Sequence, residues 1–232
     1  MPNTSFSIGE ALRFGWKTLK ENVGLFILLF ILTVILVSLP ALIVFTTGWD
    51  RFQGAHIAVG IINHLIGIAI LLGYTNVSLR LAKGEKATIG DFFSRLNVYI
   101  PFFFGYWLFS IVTFIGLILF VFPAFIWGLR YLFYSFFIVE KGIGPVEAFV
   151  ESRKITNGMK WDLLGYAFVG VILNLIGILC LIVGIFVTYP IVFVGYAYIY
   201  WKLRMRLMPN EKANFPDFER PLQPTILTLE KE

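Results

Sequence analysis

Residues 98–139 read VYIPFFFGYWLFSIVTFIGLILFVFPAFIWGLRYLFYSFFIV, 42 residues with Arg130 as the one charge among them. As a single helix the stretch would run roughly 63 Å. A bilayer's hydrocarbon core is about 30 Å thick. The stretch therefore has to fold back as a transmembrane hairpin, with Gly116 and Pro123 as its punctuation. Residues 162–201 pose the same problem over 40 residues and carry Gly177, Gly184 and Pro190.

Outward from these two stretches, shorter apolar runs each match one crossing. The expected spans are 23–46, 55–79, 98–117, 118–139, 162–182 and 183–203. Composition agrees, because 58% hydrophobic and 18% aromatic residues and a mean hydropathy of +0.82 lie outside the soluble range. The N-terminus reads as uncleaved, since about twenty amphipathic residues precede a first apolar run longer than a signal core. Cys180 is the only cysteine, which excludes a disulfide framework and leaves it as a small packing residue.

Charge sets the orientation. All but two of the 19 basic residues lie before the first span, between spans two and three, between spans four and five, or from Lys202 to the end of the chain. Arg51 and Arg130 are the exceptions. By the positive-inside rule both termini are cytoplasmic, and the surplus of +5 reflects orientation in a membrane rather than nucleic-acid binding. Trp16, Trp49, Trp161 and Trp201 fall near span boundaries, as an aromatic belt requires.

A short amphipathic segment precedes each hairpin. Ser7 with Glu10 and Thr88 with Asp91 have capping-box spacing, and Gly144 with Pro145 supplies a cap and a first helical position. In the first segment Ile8, Leu12, Trp16, Leu19 and Val23 recur at helical spacing, which predicts a helix lying flat on the cytoplasmic interface. Pro123, Gly128 and Tyr131 repeat the spacing of Pro190, Gly195 and Tyr198, and Gly73-Tyr74 matches Gly195-Tyr196. The expected fold is an all-α polytopic membrane protein: six transmembrane helices as three hairpins, each preceded by a cytoplasmic amphipathic interfacial helix, in a threefold internal repeat. Residues 1–203 form one membrane domain with repeat units of about 5–80, 86–140 and 142–203, followed by a flexible cytosolic tail at 204–232. Gly170, Gly177 and Gly184, and likewise Gly60 and Gly67, are spaced to let neighbouring backbones approach. Pro123 and Pro190 are expected helix kinks.

Few residues offer chemistry. Arg130 sits ten residues before Glu140, and a cation that deep in a span needs carbonyls, headgroups or an anion such as a lipid phosphate. Asn63, His64 and Asn174 are polar groups near span centres, suited to bonding across helices or to a ligand. His56 and His64 lack partners at metal-ligand spacing, no cofactor motif occurs, and the scattered carboxylates do not pair as catalysis requires.

Glu147-Ala148, Ser152, Gly158, Asn174, Gly177, Gly184, Pro190 and Tyr198 together resemble an uncharacterised prokaryotic family of six-span integral membrane proteins, similar to the membrane domain of glycerophosphodiester phosphodiesterases. The resemblance covers mainly residues 140–203 and implies a bacterial or archaeal cytoplasmic (inner) membrane. It brings no catalytic residues. The leading expectation is a non-enzymatic scaffold or accessory subunit of a membrane complex or the lipid envelope. Its partners would be membrane lipids, anionic at the cytoplasmic face, and a membrane-protein partner or a second copy. The alternative is a transporter or lipid-handling protein with a cavity near Arg130. A polar cavity within the membrane favours the alternative, and a solid glycine-packed core the scaffold.

Overall fold

The computed structural model describes residues 6–49, 53–119, 121–179 and 184–207. All its regular elements are helical: α1 (Ile8–Glu21), α2 (Val23–Thr47), α3 (Gln53–Ala82), α4 (Ile89–Phe93), α5 (Tyr99–Leu119), α6 (Val121–Tyr131), α7 (Tyr134–Lys141), α8 (Pro145–Thr156), α9 (Lys160–Leu179) and α10 (Ile185–Leu207). A chain this apolar has to satisfy each backbone N–H and C=O within its own segment, and helices do so. Among the described residues, four helical stretches are long and apolar enough to cross a membrane: Val23–Thr47, Gly54–Ala82, Ile89–Leu119 and Lys160–Leu179. Large apolar side chains cover their outsides, Phe45 at 74% and Leu179 at 83% exposure among them. Such a surface suits lipid and not water. Arg51, Cys180 and the stretch 208–232 lie outside the described residues.

The expected fourth span, 118–139, is not one helix. It is divided between α6 and α7, which meet at a turn over Leu132 and Phe133. The reason lies in α8. The Ser152 hydroxyl donates to the Arg130 carbonyl at 3.0 Å and accepts from the Phe133 N–H at 3.1 Å, while the Thr156 hydroxyl donates to the same carbonyl at 3.1 Å. Both hydroxyl residues are fully buried, so they replace the helix bonds that the break removes. Ser152→Ala is expected to cost about 1–3 kcal/mol by orphaning a buried N–H. Chemical denaturation in a fixed detergent reads this directly, and a loss below about 0.5 kcal/mol would show the break does not need the hydroxyl.

α10 also departs from expectation, continuing through Leu207 beyond residue 203 where the tail was to begin. The short helices pack on the helices that return to their end of the molecule: α1 on α10, α4 on α3, and α8 on α6 and α7. The buried core concentrates there, around Leu72, Phe92, Phe133 to Val139, Leu163 and Val194 to Leu203.

The first segment forms a helix as its spacing predicts, and Ser7 donates its N–H to Glu10 at 3.4 Å in the expected capping box. It packs on the bundle. It runs antiparallel along α10, with Ala11 opposite Gly195 and Gly15 opposite Ile191. Its buried face is Ala11, Phe14, Gly15, Thr18 and Leu19, whereas Trp16 and Val23 are each 46% exposed. Trp201 likewise leaves the expected belt. It is 8% exposed, beneath Lys83 and Arg204 at 4.9 and 5.4 Å from its ring centre.

The glycine expectations divide. Gly170 packs on Val192, and Gly177 of α9 and Gly184, just before α10, face each other. Gly60 and Gly67 face open space.

Candidate functional site

Two of the residues singled out by sequence share a cavity. Asn63 and His64 on α3 line a space of about 580 Å³ between α2, α3, α5 and α10. α2 contributes Phe26, Phe30 and Thr33, α5 contributes Tyr106, and α10 contributes Tyr189 and Pro190. The open space at Gly67 belongs to the same wall. The walls are mostly apolar, but hydroxyls ring the interior: Thr33 and Tyr74 lie 3.4 Å apart. His64 stands edge-on to Tyr106 and Trp107, with ring centres 5.6 and 5.4 Å away. Asn63 Oδ1 is buried and has no hydrogen-bond partner among the described residues. An unmet acceptor in apolar surroundings costs free energy, which a ligand donor could recover.

Asn174 on α9 lines neither this cavity nor the Arg130 pocket, and its Oδ1 too is buried without a partner among the described residues. Pro190 lies inside α10, where the missing N–H leaves one carbonyl of the preceding turn without its helix bond. Pro123 falls in the first turn of α6, where proline breaks no helix bond.

Arg130 is not isolated at mid-membrane. Because α6 ends at Tyr131, its side chain shares a second pocket, of about 310 Å³, with Arg153, Lys154 and Asn157 at the end of α8 and Lys160 at the start of α9. The break at Leu132 and Phe133 brings it to the level of residues that were read as cytoplasmic surface charge.

Sequence reasoning missed a set of ion pairs at the same end. Glu140, whose side chain is 7% exposed, takes Lys83 Nζ at 2.6 Å together with Arg204 and the Tyr200 hydroxyl. Asp91 pairs with Arg80, and Asn76 donates to the Asp91 carbonyl at 2.6 Å. Glu10 accepts from Lys202 at 2.7 Å and from the Tyr198 hydroxyl. Burial works against the Glu10 carboxylate, but the Lys202 ammonium and the Tyr198 hydroxyl outweigh it and hold its pKa below the ordinary value. The partners are separated by 11 to 192 residues, and only their charges were visible beforehand.

No family model, no curated protein and no solved structure matches this chain.

Proposed function

We propose that this is a non-enzymatic, lipid-handling membrane protein that holds an amphipathic guest in the cavity between α2, α3, α5 and α10. The observation that carries the reading is the wall of this half-open cavity: apolar and aromatic side chains beside an exposed His64, paired hydroxyls and the unmatched Asn63 amide oxygen. A guest that fits is mainly hydrocarbon or aromatic, with a hydroxyl, amide or ammonium donor. The scaffold reading is favoured by a different feature, the close backbone packing of α1 and α9 on α10.

The architecture we infer has α6 with α7 and α10 completing three out-and-back units, with both termini cytoplasmic in a bacterial or archaeal inner membrane. Equivalent contacts support the repeat. Gly73 meets Phe92, the fourth helical residue of α4, as Gly195 meets Ala11, the fourth of α1. Seven residues past each glycine, Arg80 and Lys202 pair with the capping carboxylates Asp91 and Glu10. The six-span family that residues 140–203 resemble fits this arrangement.

The test is native mass spectrometry of the protein extracted from its own membranes in mild detergent, beside Gly67→Phe. A Cβ at Gly67 meets nothing within 4 Å, so the added ring can fill the cavity without moving backbone. We expect a small molecule or lipid bound to the wild type and lost from the variant. A stoichiometric protein partner with no bound molecule in either would establish the scaffold reading instead.

A further inference from the structure

A separate site shares no lining residue with the central cavity: the basic pocket stands beside an apolar groove. We infer that α6, α8 and α9 form a binding site for one anionic phospholipid, its phosphate among Arg130, Arg153 and Lys160 and one acyl chain along the groove between α6 and α9. The groove has a volume of about 760 Å³ and is lined by Phe125, Ile126 and Leu129 of α6 and by Trp161, Leu164 and Phe168 of α9. Lys160 lines both the groove and the basic pocket, so the two adjoin at its side chain.

Charge identifies the headgroup. Arg130, Arg153, Lys154 and Lys160 line the pocket, and among the described residues no carboxylate does. Lys154 has a neighbouring acid, Glu151 at 2.5 Å. Arg130, Arg153 and Lys160 form no ion pair among the described residues. Cations gathered in a concave site beside apolar surface repel one another and need an anion of matching extent. A phosphodiester offers two non-bridging oxygens that share one negative charge, which a guanidinium fork can grip through two parallel N–H bonds while a second cation approaches from another side. Basic pockets between membrane helices at the cytoplasmic end take anionic headgroups for this reason.

The position of Arg130 is built rather than incidental. Its carbonyl is fixed by Ser152 and Thr156 of α8, which sets the guanidinium beside the last turn of that helix. Trp161 is 79% exposed at the groove's basic end, the place an indole takes at a headgroup boundary. Phe125 and Phe168, at 58% and 64% exposure, leave the groove open to a chain entering sideways from the bilayer. A soluble anion would use the pocket and have no need of the groove. A neutral lipid would use the groove and leave the cations unmatched.

The experiment titrates the purified full-length protein with dioleoyl phosphatidylglycerol and, separately, with dioleoyl phosphatidylcholine, and counts bound lipid by native mass spectrometry. Phosphatidylglycerol is expected to bind at one saturable site and phosphatidylcholine to show only weak, non-saturating binding. Arg153→Gln, at an exposed position, and Arg130→Gln are each expected to weaken phosphatidylglycerol about tenfold, the loss of one charge-assisted contact. Arg130→Lys should recover part of the loss, and Ile126→Asn in the groove should weaken the lipid while leaving thermal stability in detergent unchanged. Glycerol 3-phosphate in millimolar excess should not displace the lipid. Displacement would make this a soluble-anion site and overturn the proposal. Equal affinity for the two lipids, or wild-type binding by Arg153→Gln and Arg130→Gln together, would overturn it as well. Gly67→Phe should not change the titration, which separates this site from the central cavity.

Discussion

Glu140→Ala is expected to lower the unfolding free energy by roughly 3–5 kcal/mol, the usual cost of breaking a buried ion pair from one side. Glu140 is the shared acceptor for Lys83, Arg204 and the Tyr200 hydroxyl. Arg204 has a side chain only 12% exposed, so removing the carboxylate takes away the counter-charge of a guanidinium that water reaches poorly. Lys83 follows α3, Glu140 is in α7, and Tyr200 and Arg204 are in α10, so one carboxylate joins three parts of the chain at the end where the core is densest. The network is expected to specify the arrangement more than to stabilise it. Burying charge is costly, and the double variant Glu140→Met with Arg204→Met should therefore recover more than half of the loss. Equilibrium unfolding of wild type, Glu140→Met, Arg204→Met and the double variant in one detergent closes the cycle. A single variant within about 1 kcal/mol of wild type would mean that the network is solvated and carries little.

What could be read beforehand follows from the range of the interactions. Helices α2, α3, α5 and α9 are written in unbroken apolar length, because a membrane-type segment has to pair its backbone locally. The capping boxes at Ser7 with Glu10 and Thr88 with Asp91 are equally local, three residues wide. The break between α6 and α7 is not local. Residues 118–139 read as continuous helix, and the hydroxyls that stabilise the interruption come from Ser152 and Thr156, 19 to 26 residues on.

Arg130 was conspicuous as a lone charge in an apolar run, but Arg153, Lys154 and Lys160 looked like any solvated cytoplasmic stretch. Only the break shows that they share a pocket. Asn63 and His64 stood out for the same reason as Arg130, while the hydroxyls of Thr33, Tyr74 and Tyr106 that join them in the cavity could not be assigned without knowing which helix faces meet. Gly60 and Gly67 carry the right spacing for close packing and none of the packing, since spacing fixes a face and not what lies opposite it.

Gly15→Val is expected to separate α1 from α10, at a cost near the upper end of the roughly 1–3 kcal/mol typical of overpacking. The atoms opposite are backbone: a Cβ on Gly15 would stand 3.0 Å from the Ile191 carbonyl carbon and closer still to its oxygen. A side chain in that position could rotate aside. A carbonyl within a helix cannot move without shifting α10. One turn away, Ala11 and Gly195 repeat the close approach, with a Cβ on Gly195 falling 3.2 Å from the Ala11 carbonyl oxygen. The two contacts therefore act together as a clasp. Phe14 stacked on Tyr198 at 4.7 Å and Glu10 paired with Lys202 complete the seam, and both depend on the backbones staying together. Hydrogen exchange in detergent should show the amides of Ile8–Glu21 losing protection in Gly15→Val while those of α5 keep theirs. Gly24→Val is the control, because a Cβ there meets nothing within 4 Å. If the two variants exchange alike, α1 is held by its polar pairs and not by the glycine contact. If Gly15→Val alone loosens it, the first helix is a docked part of the bundle whose release a single methyl-bearing carbon can set.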